Sequence, residues 1–96
     1  MKILIKESRL TDTILLEILN YYNWDNIVTE DDEDGDGLFF GDDEGDLFYY
    51  NREEKTLEIY DGKFWDYMTG FFNDLWFPIF NRFIEYKYDI TIKEIS

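Results

Sequence analysis

The side chains that could do chemistry in this sequence are carboxylates, and they are gathered in one place. Residues 25–46 carry eleven Asp and Glu and neither Lys nor Arg, a local charge of −11 against −14 for the whole 96-residue chain. Carboxylates at this density can bind a hard cation, work as paired general acids and bases, or meet a basic surface on another molecule. Other chemistries are closed. The sequence has no Cys and no His, hence no disulfide, no thiolate metal site, no Cys nucleophile and no imidazole base. Ser8 and Ser96 are its only serines, and a Ser-His-Asp triad cannot be assembled without His.

The first candidate is a cation loop. Asp32, Asp34, Asp36, Gly37, Phe39 and Asp43 spell D-x-D-x-D-G-x-F-x-x-x-D over twelve residues. This spacing resembles the calcium loop of EF-hand and dockerin proteins. The resemblance implies side-chain ligands at Asp32, Asp34, Asp36 and Asp43, a backbone carbonyl from Leu38, and calcium as a possible cofactor. Asp43 stands where EF-hands carry Glu. Gly41 and Gly45 argue against a helix leaving the loop.

The second candidate is mimicry of nucleic acid. Alternate side chains on one face of a strand lie about 6.5–7 Å apart, so a run of Asp and Glu can stand in a row as phosphates do. A basic groove built for DNA or RNA would accept such a surface. The chain is similar in type to the small, acidic, Cys-free proteins that phages make against host defence, among them uracil-glycosylase inhibitors, anti-restriction proteins and some anti-CRISPR proteins. Its opening Met-Lys-Ile-Leu-Ile-Lys-Glu-Ser also looks like that of short phage proteins. Here the charge is concentrated and punctuated by Gly35, Gly37, Gly41 and Gly45, which points to a projecting loop or hairpin at about residues 29–46. Asp31, Asp32, Glu33, Asp34, Asp36, Asp42, Asp43, Glu44 and Asp46 would carry the charge, with Leu38, Phe39 and Phe40 as an apolar anchor between them. The bland alternative is a solvated acidic loop that keeps the protein soluble. Three large apolar residues in a row count against it.

The elements that must position this segment can be read from periodicity. Ile3 and Ile5 alternate with Lys2, Leu4 and Lys6, the pattern of a short strand. Leu10, Ile14, Leu15, Ile18, Leu19 and Tyr22 form a helical stripe, which predicts a helix over about 11–22 capped by Thr11 or Asp12. Ile27 and Val28 can begin a strand. Leu47–Tyr50 and Thr56–Tyr60, joined by Asn51-Arg52-Glu53-Glu54-Lys55, read as a β-hairpin ended by Asp61-Gly62. Phe64, Trp65, Met68, Phe71 and Phe72 mark a helix over about 63–72, and Pro78 belongs in the first turn of a second helix carrying Ile79, Phe80, Phe83 and Ile84. Tyr86, Tyr88, Ile90 and Ile92 alternate with Lys87, Asp89, Thr91 and Lys93, which predicts a final strand. The expected architecture is α+β: one domain over residues 1–96, with a small, mostly antiparallel sheet and about three helices packed on one face.

Nine Phe, eight Tyr and three Trp supply the core of this short chain. Base stacking on the rings of residues 64–88 would need positive surroundings, but only Lys63, Arg82 and Lys87 face Asp61, Asp66, Asp74, Glu85 and Asp89 there. A core role is favoured for them, with Trp24, Trp76 or Tyr60 available for an exposed patch. Nothing singles out a catalytic carboxylate pair. The opening residues lack the apolar run of a signal peptide, and no stretch reaches membrane-span length.

The expectation is a non-catalytic inhibitor or adaptor of phage anti-defence type. It would work in the cytoplasm of a host cell, with a basic protein as partner: a nucleic-acid-binding enzyme or a defence complex. Direct contact with nucleic acid or anionic membrane is opposed by the charge. A calcium-binding module and a virion structural subunit are the alternatives, and homo-oligomers are compatible with any of them.

Overall fold

The computed structural model describes residues 2–96, with side chains from Arg9 onward. The first helix, α1, runs Lys2–Tyr21. The strand expected at residues 2–6 is therefore a correction: five alternating residues are too few to separate the two periods, and the helix continues through them. Thr11 and Asp12 consequently sit inside the helix and cap nothing. Ile14 and Ile18 are fully buried, while Leu19 is exposed and Leu15 half-buried, so the core stripe is narrower than the sequence suggested. Just beyond the helix, the Trp24 indole donates to the Ile18 carbonyl at 2.9 Å. That oxygen is one of the last-turn acceptors which a helix leaves without an internal partner. Trp24 itself is buried within the short 3₁₀ turn Trp24–Asn26.

Four strands then follow as an antiparallel meander: β1 (Val28–Asp31), β2 (Gly37–Asp42), β3 (Gly45–Asn51) and β4 (Thr56–Ile59). A fifth, β5 (Glu94–Ile95), runs parallel to β4, giving the order β1-β2-β3-β4-β5. The hairpin expected around Asn51–Lys55 is present as β3 and β4. The acidic segment folds as a second hairpin, β1 and β2, on the same sheet. A bulge interrupts β2 against β3: Phe40 pairs with Phe48 and Gly41 with Asp46, so Leu47 is the extra residue.

Between β4 and β5 the chain crosses through two helices, α2 (Gly62–Phe72) and α3 (Trp76–Tyr88). Asp61 caps α2, its carboxylate accepting from the backbone N–H groups of Lys63 and Phe64. Pro78 lies in the first turn of α3, where its missing N–H leaves no bond unmade. The strand expected over residues 86–92 is a second correction. Phe80, Ile84 and Tyr88 continue the helical spacing of four, and α3 stops only at Asp89, whose left-handed backbone (φ 55°) ends it. The alternation of Tyr86, Tyr88, Ile90 and Ile92 straddles a helix end. Tyr86 is almost fully exposed.

One face of the sheet is covered. Phe40, Phe48, Tyr50 and Leu57 point from it into a core shared with Ile14, Ile18, Phe64, Met68, Trp76, Phe80 and Ile84. Phe48 and Phe64 each lie within about one ring diameter of Phe80, at centroid distances of 5.3 and 5.2 Å. Edge and tilted pairs of this kind add to the large area each ring buries. Among the described residues, no helix packs on the opposite face.

Candidate functional site

Strand alternation decides what the bare face displays. Reading across the register, Glu30 pairs with Phe39, Phe39 with Tyr49, and Tyr49 with Glu58. These four therefore form one row on one side, and Leu38 and Phe40 fall on the other. The apolar anchor expected from Leu38, Phe39 and Phe40 is split by this geometry. Phe40 is fully buried and Leu38 packs against the core, so neither is available to a partner; Phe39 alone faces outward. A period of two cannot put three consecutive side chains on one surface.

Phe39 leans on Tyr49 at 4.7 Å between ring centroids. Tyr49 lies in turn beside Tyr60, with the two ring planes parallel to within 2° and their centroids 6.5 Å apart. A Cβ on Gly41 would meet the Gly45 carbonyl oxygen at 2.8 Å, a backbone clash, whereas one on Gly37 would collide with the Tyr49 ring. Tyr49 uses the space to reach across the sheet, its hydroxyl donating to Asp32 Oδ2 at 3.0 Å. The Tyr49 hydroxyl is held above the ordinary range, first by desolvation and then by the Asp32 hydrogen bond and charge, with Asp36 contributing. Tyr60 is shifted the same way, by desolvation, then by Glu58, and more weakly by Asp46 and Asp32.

The carboxylates thus surround the rings. Glu30, Asp32, Asp46, Glu58 and, on β5, Glu94 belong to this side, and no Lys or Arg occupies an outward position in the paired strands. A shallow depression of ≈ 330 Å³ is lined by Glu30, Asp31, Asp32, Glu33, Phe39 and Asp46. Past Tyr60 and Asp46 the surface falls into a larger groove of ≈ 830 Å³, which also takes in Asp42, Glu44, Asp61 and Asp66. Tyr22 forms part of its wall and donates to Asp61 Oδ2 at 2.6 Å. Among the described residues, Lys63 is the only basic one lining the groove.

The tip of the acidic hairpin is held in place. Gly35, at φ 73°, makes the turn, and its N–H donates to the Asp32 carbonyl. Arg52, from the connection between β3 and β4, donates to the carbonyls of Gly35 and Gly37 and to Asp31 Oδ1. The Arg52 backbone N–H adds a bond to the Asp36 carbonyl. Arg52 with Asp31 is the one salt bridge among the described residues.

Comparison with protein families, with curated proteins and with solved structures finds no match. The site is read from its geometry.

That geometry does not bring the twelve-residue calcium spacing together. Asp32, Asp34 and Asp36 lie at the β1–β2 turn, but Asp43 lies in the β2–β3 turn. The six residues of β2 between them span about 20 Å. Among the described residues, no group of three or more acidic side chains is arranged to hold a metal ion, and the hairpin supplies strand where the loop of an EF-hand would coil around its cation. The remaining charged residues are accessible: Asp31, Glu33, Asp34, Asp36, Asp43, Glu44 and Asp46 are exposed, and Asp32 and Asp42 half-buried. Of the rings expected at the surface, Trp24 and Trp76 are buried and only Tyr60 is exposed. Tyr49 was missed, although the alternation of Phe48 and Tyr50 around it carries the signal. No helix among the described residues is long and apolar enough to cross a membrane.

Proposed function

We propose that this chain is a non-catalytic inhibitor or adaptor which docks its acidic hairpin and bare sheet face on a basic, nucleic-acid-binding surface of another protein. The observation that carries this reading is a held surface of like charge. The eleven carboxylates of residues 25–46 are all solvent-accessible, yet only Asp31 among them is ion-paired within the described residues. Bringing this many like charges together on a fixed hairpin costs folding free energy, and a cationic partner relieves that cost. The strap from Arg52 also matters, because a surface ordered in advance loses less entropy on docking than a mobile loop.

Carboxylates on neighbouring strands repeat at about 5 Å and along a strand at about 7 Å, close enough to follow a groove that binds a phosphate backbone. Such a contact associates fast and weakens steeply with salt. A phage-encoded protein of this kind would meet its target in the host cytoplasm, where an anti-CRISPR or anti-restriction role fits the chemistry.

The test is capture of partners from host lysate on the tagged chain, followed by competition with duplex DNA and with RNA. The reading expects a basic nucleic-acid-binding protein that either nucleic acid displaces. A partner that survives saturating nucleic acid, or that binds equally to a chain with residues 30–46 changed from Asp and Glu to Asn and Gln, would overturn it.

A further inference from the structure

Resting on that reading, we infer that the group recognised at the centre of the sheet face is an arginine guanidinium of the partner, stacked on the Tyr49–Tyr60 pair and held by the carboxylates around it. The rings supply the first argument. Phe39, Tyr49 and Tyr60 stand on the side of the sheet away from the core, which no helix covers among the described residues, and none of the three belongs to that core. Tyr60 is 46% exposed, so much of its surface is open to a partner. Its plane is parallel to that of Tyr49 to within 2°, so one planar cation can lie parallel to both rings.

Charge supplies the second argument and limits the occupant. Asp32, Asp46 and Glu58 border the rings, and no outward strand position carries a base that could answer them from within the chain. An anion, a nucleobase bearing its phosphate, or a second copy of this face would all be repelled. Lysine satisfies the charge but not the rings: its ammonium is a compact, strongly hydrated point. Arginine satisfies both, because its guanidinium is planar, weakly hydrated, stacks on aromatic faces and donates in pairs to carboxylates. Donor geometry agrees. The Tyr49 hydroxyl occupies Asp32 Oδ2, which leaves Oδ1 to accept, and Glu58 is exposed beside Tyr60.

The inference separates from the proposed function by a comparison of two cations of equal charge. Dye-labelled oligo-arginine and oligo-lysine peptides of the same length are titrated into the full chain at fixed moderate ionic strength. Stacking on an aromatic face is expected to give the arginine peptide the tighter binding by on the order of tenfold. Tyr60→Leu removes one of the two stacking rings and should cut that preference severalfold, leaving the lysine peptide nearly unchanged because every carboxylate remains, whereas Tyr60→Phe should keep it. Circular dichroism of the variants checks that the fold is retained. Equal affinity for the two peptides, or a preference undiminished by Tyr60→Leu, would overturn the arginine assignment and leave the charge-based function standing. Failure of both peptides to bind would overturn the two together.

Discussion

The assignment of Phe40 to the core and Phe39 to the open face can be tested by two alanine substitutions one residue apart. Phe40 is fully buried, 4.7 Å from Tyr88 and 6.1 Å from Phe48 by ring centroids. Phe40→Ala removes a ring from a packed interior and leaves a cavity, a change that costs about 3–5 kcal/mol. Phe39 has one aromatic neighbour, Tyr49, and solvent on its other side. Phe39→Ala should therefore lose little more than the pair itself, about 0.5–1.5 kcal/mol. Against the roughly 5–15 kcal/mol that holds a typical domain folded, the first substitution removes a large part of the stability and the second a small part. At about 4–8 °C per kcal/mol for a chain of this size, Phe40→Ala lowers Tm by roughly 12 °C or more. Urea unfolding followed by tryptophan fluorescence measures both, since Trp24 and Trp76 are buried. An unchanged m value would place the effect in stability and not in a changed denatured state. Equal costs for the two substitutions would mean that the register of β2, and with it the whole composition of the bare face, is wrong.

Gly37→Ala would put its Cβ 2.5 Å from the Tyr50 carbonyl oxygen and closer still to the Tyr49 ring. A loss of about 1–3 kcal/mol is expected by the usual cost of overpacking, read as a lower melting temperature; no loss would show that Tyr49 does not lie across Gly37. Alkaline pH should destabilise the fold through Tyr22, whose hydroxyl is pushed above its ordinary value by burial first and then by its hydrogen bond to Asp61. The native state holds that proton more tightly than the unfolded chain does. The stabilisation is therefore complete below about pH 10, the unfolded value, and is lost as pH rises from there towards the folded-state pKa. Urea titrations on either side of that pH should show a steeper loss for the native sequence than for Tyr22→Phe, and identical slopes would refute the assignment. Calcium at millimolar concentration should raise Tm no more than magnesium at the same ionic strength, because β2 separates Asp43 from Asp32; a shift specific to calcium, reversed by a chelator, would contradict that geometry.

Much of the architecture was legible where local signals agreed. Phe64 and Met68 marked the buried stripe of α2, and the polar turn at 51–55 marked the β3–β4 hairpin, whereas Asp61, read only as the end of that hairpin, also caps α2. The segments that misled were those in which two periods fit equally well. Residues 2–6 alternate yet belong to a twenty-residue helix, and Tyr86 and Tyr88 lie on α3 while Ile90 and Ile92 lie beyond it. In both places the alternating pattern is too short to distinguish a strand from a helix or a helix end. The candidate site was legible in its charge but not in its shape. A strand through Leu38, Phe39 and Phe40 must send the middle residue to the opposite face, so the split follows once a strand is accepted there. The strap by Arg52 is different in kind: it joins positions 17 residues apart in sequence, and no local pattern reports it. The Tyr49–Tyr60 pair depends likewise on the register of β3 against β4.

The bare face as the recognition surface is tested most directly by comparing two sets of charge-removing substitutions for retention of a captured partner. One set, Glu30→Gln, Asp32→Asn, Asp46→Asn and Glu58→Gln, neutralises the sheet face. The other, Asp12→Asn, Glu17→Gln, Asp74→Asn and Glu85→Gln, removes the same formal charge from α1, α3 and the turn between α2 and α3. The account predicts that the sheet-face variant binds weaker by on the order of a hundredfold, as expected when several cross-interface charge contacts go at once, while the helix variant stays close to the native chain. Equal weakening by both would mean that net charge alone attracts the partner, and full retention by the sheet-face variant would mean that the partner docks elsewhere.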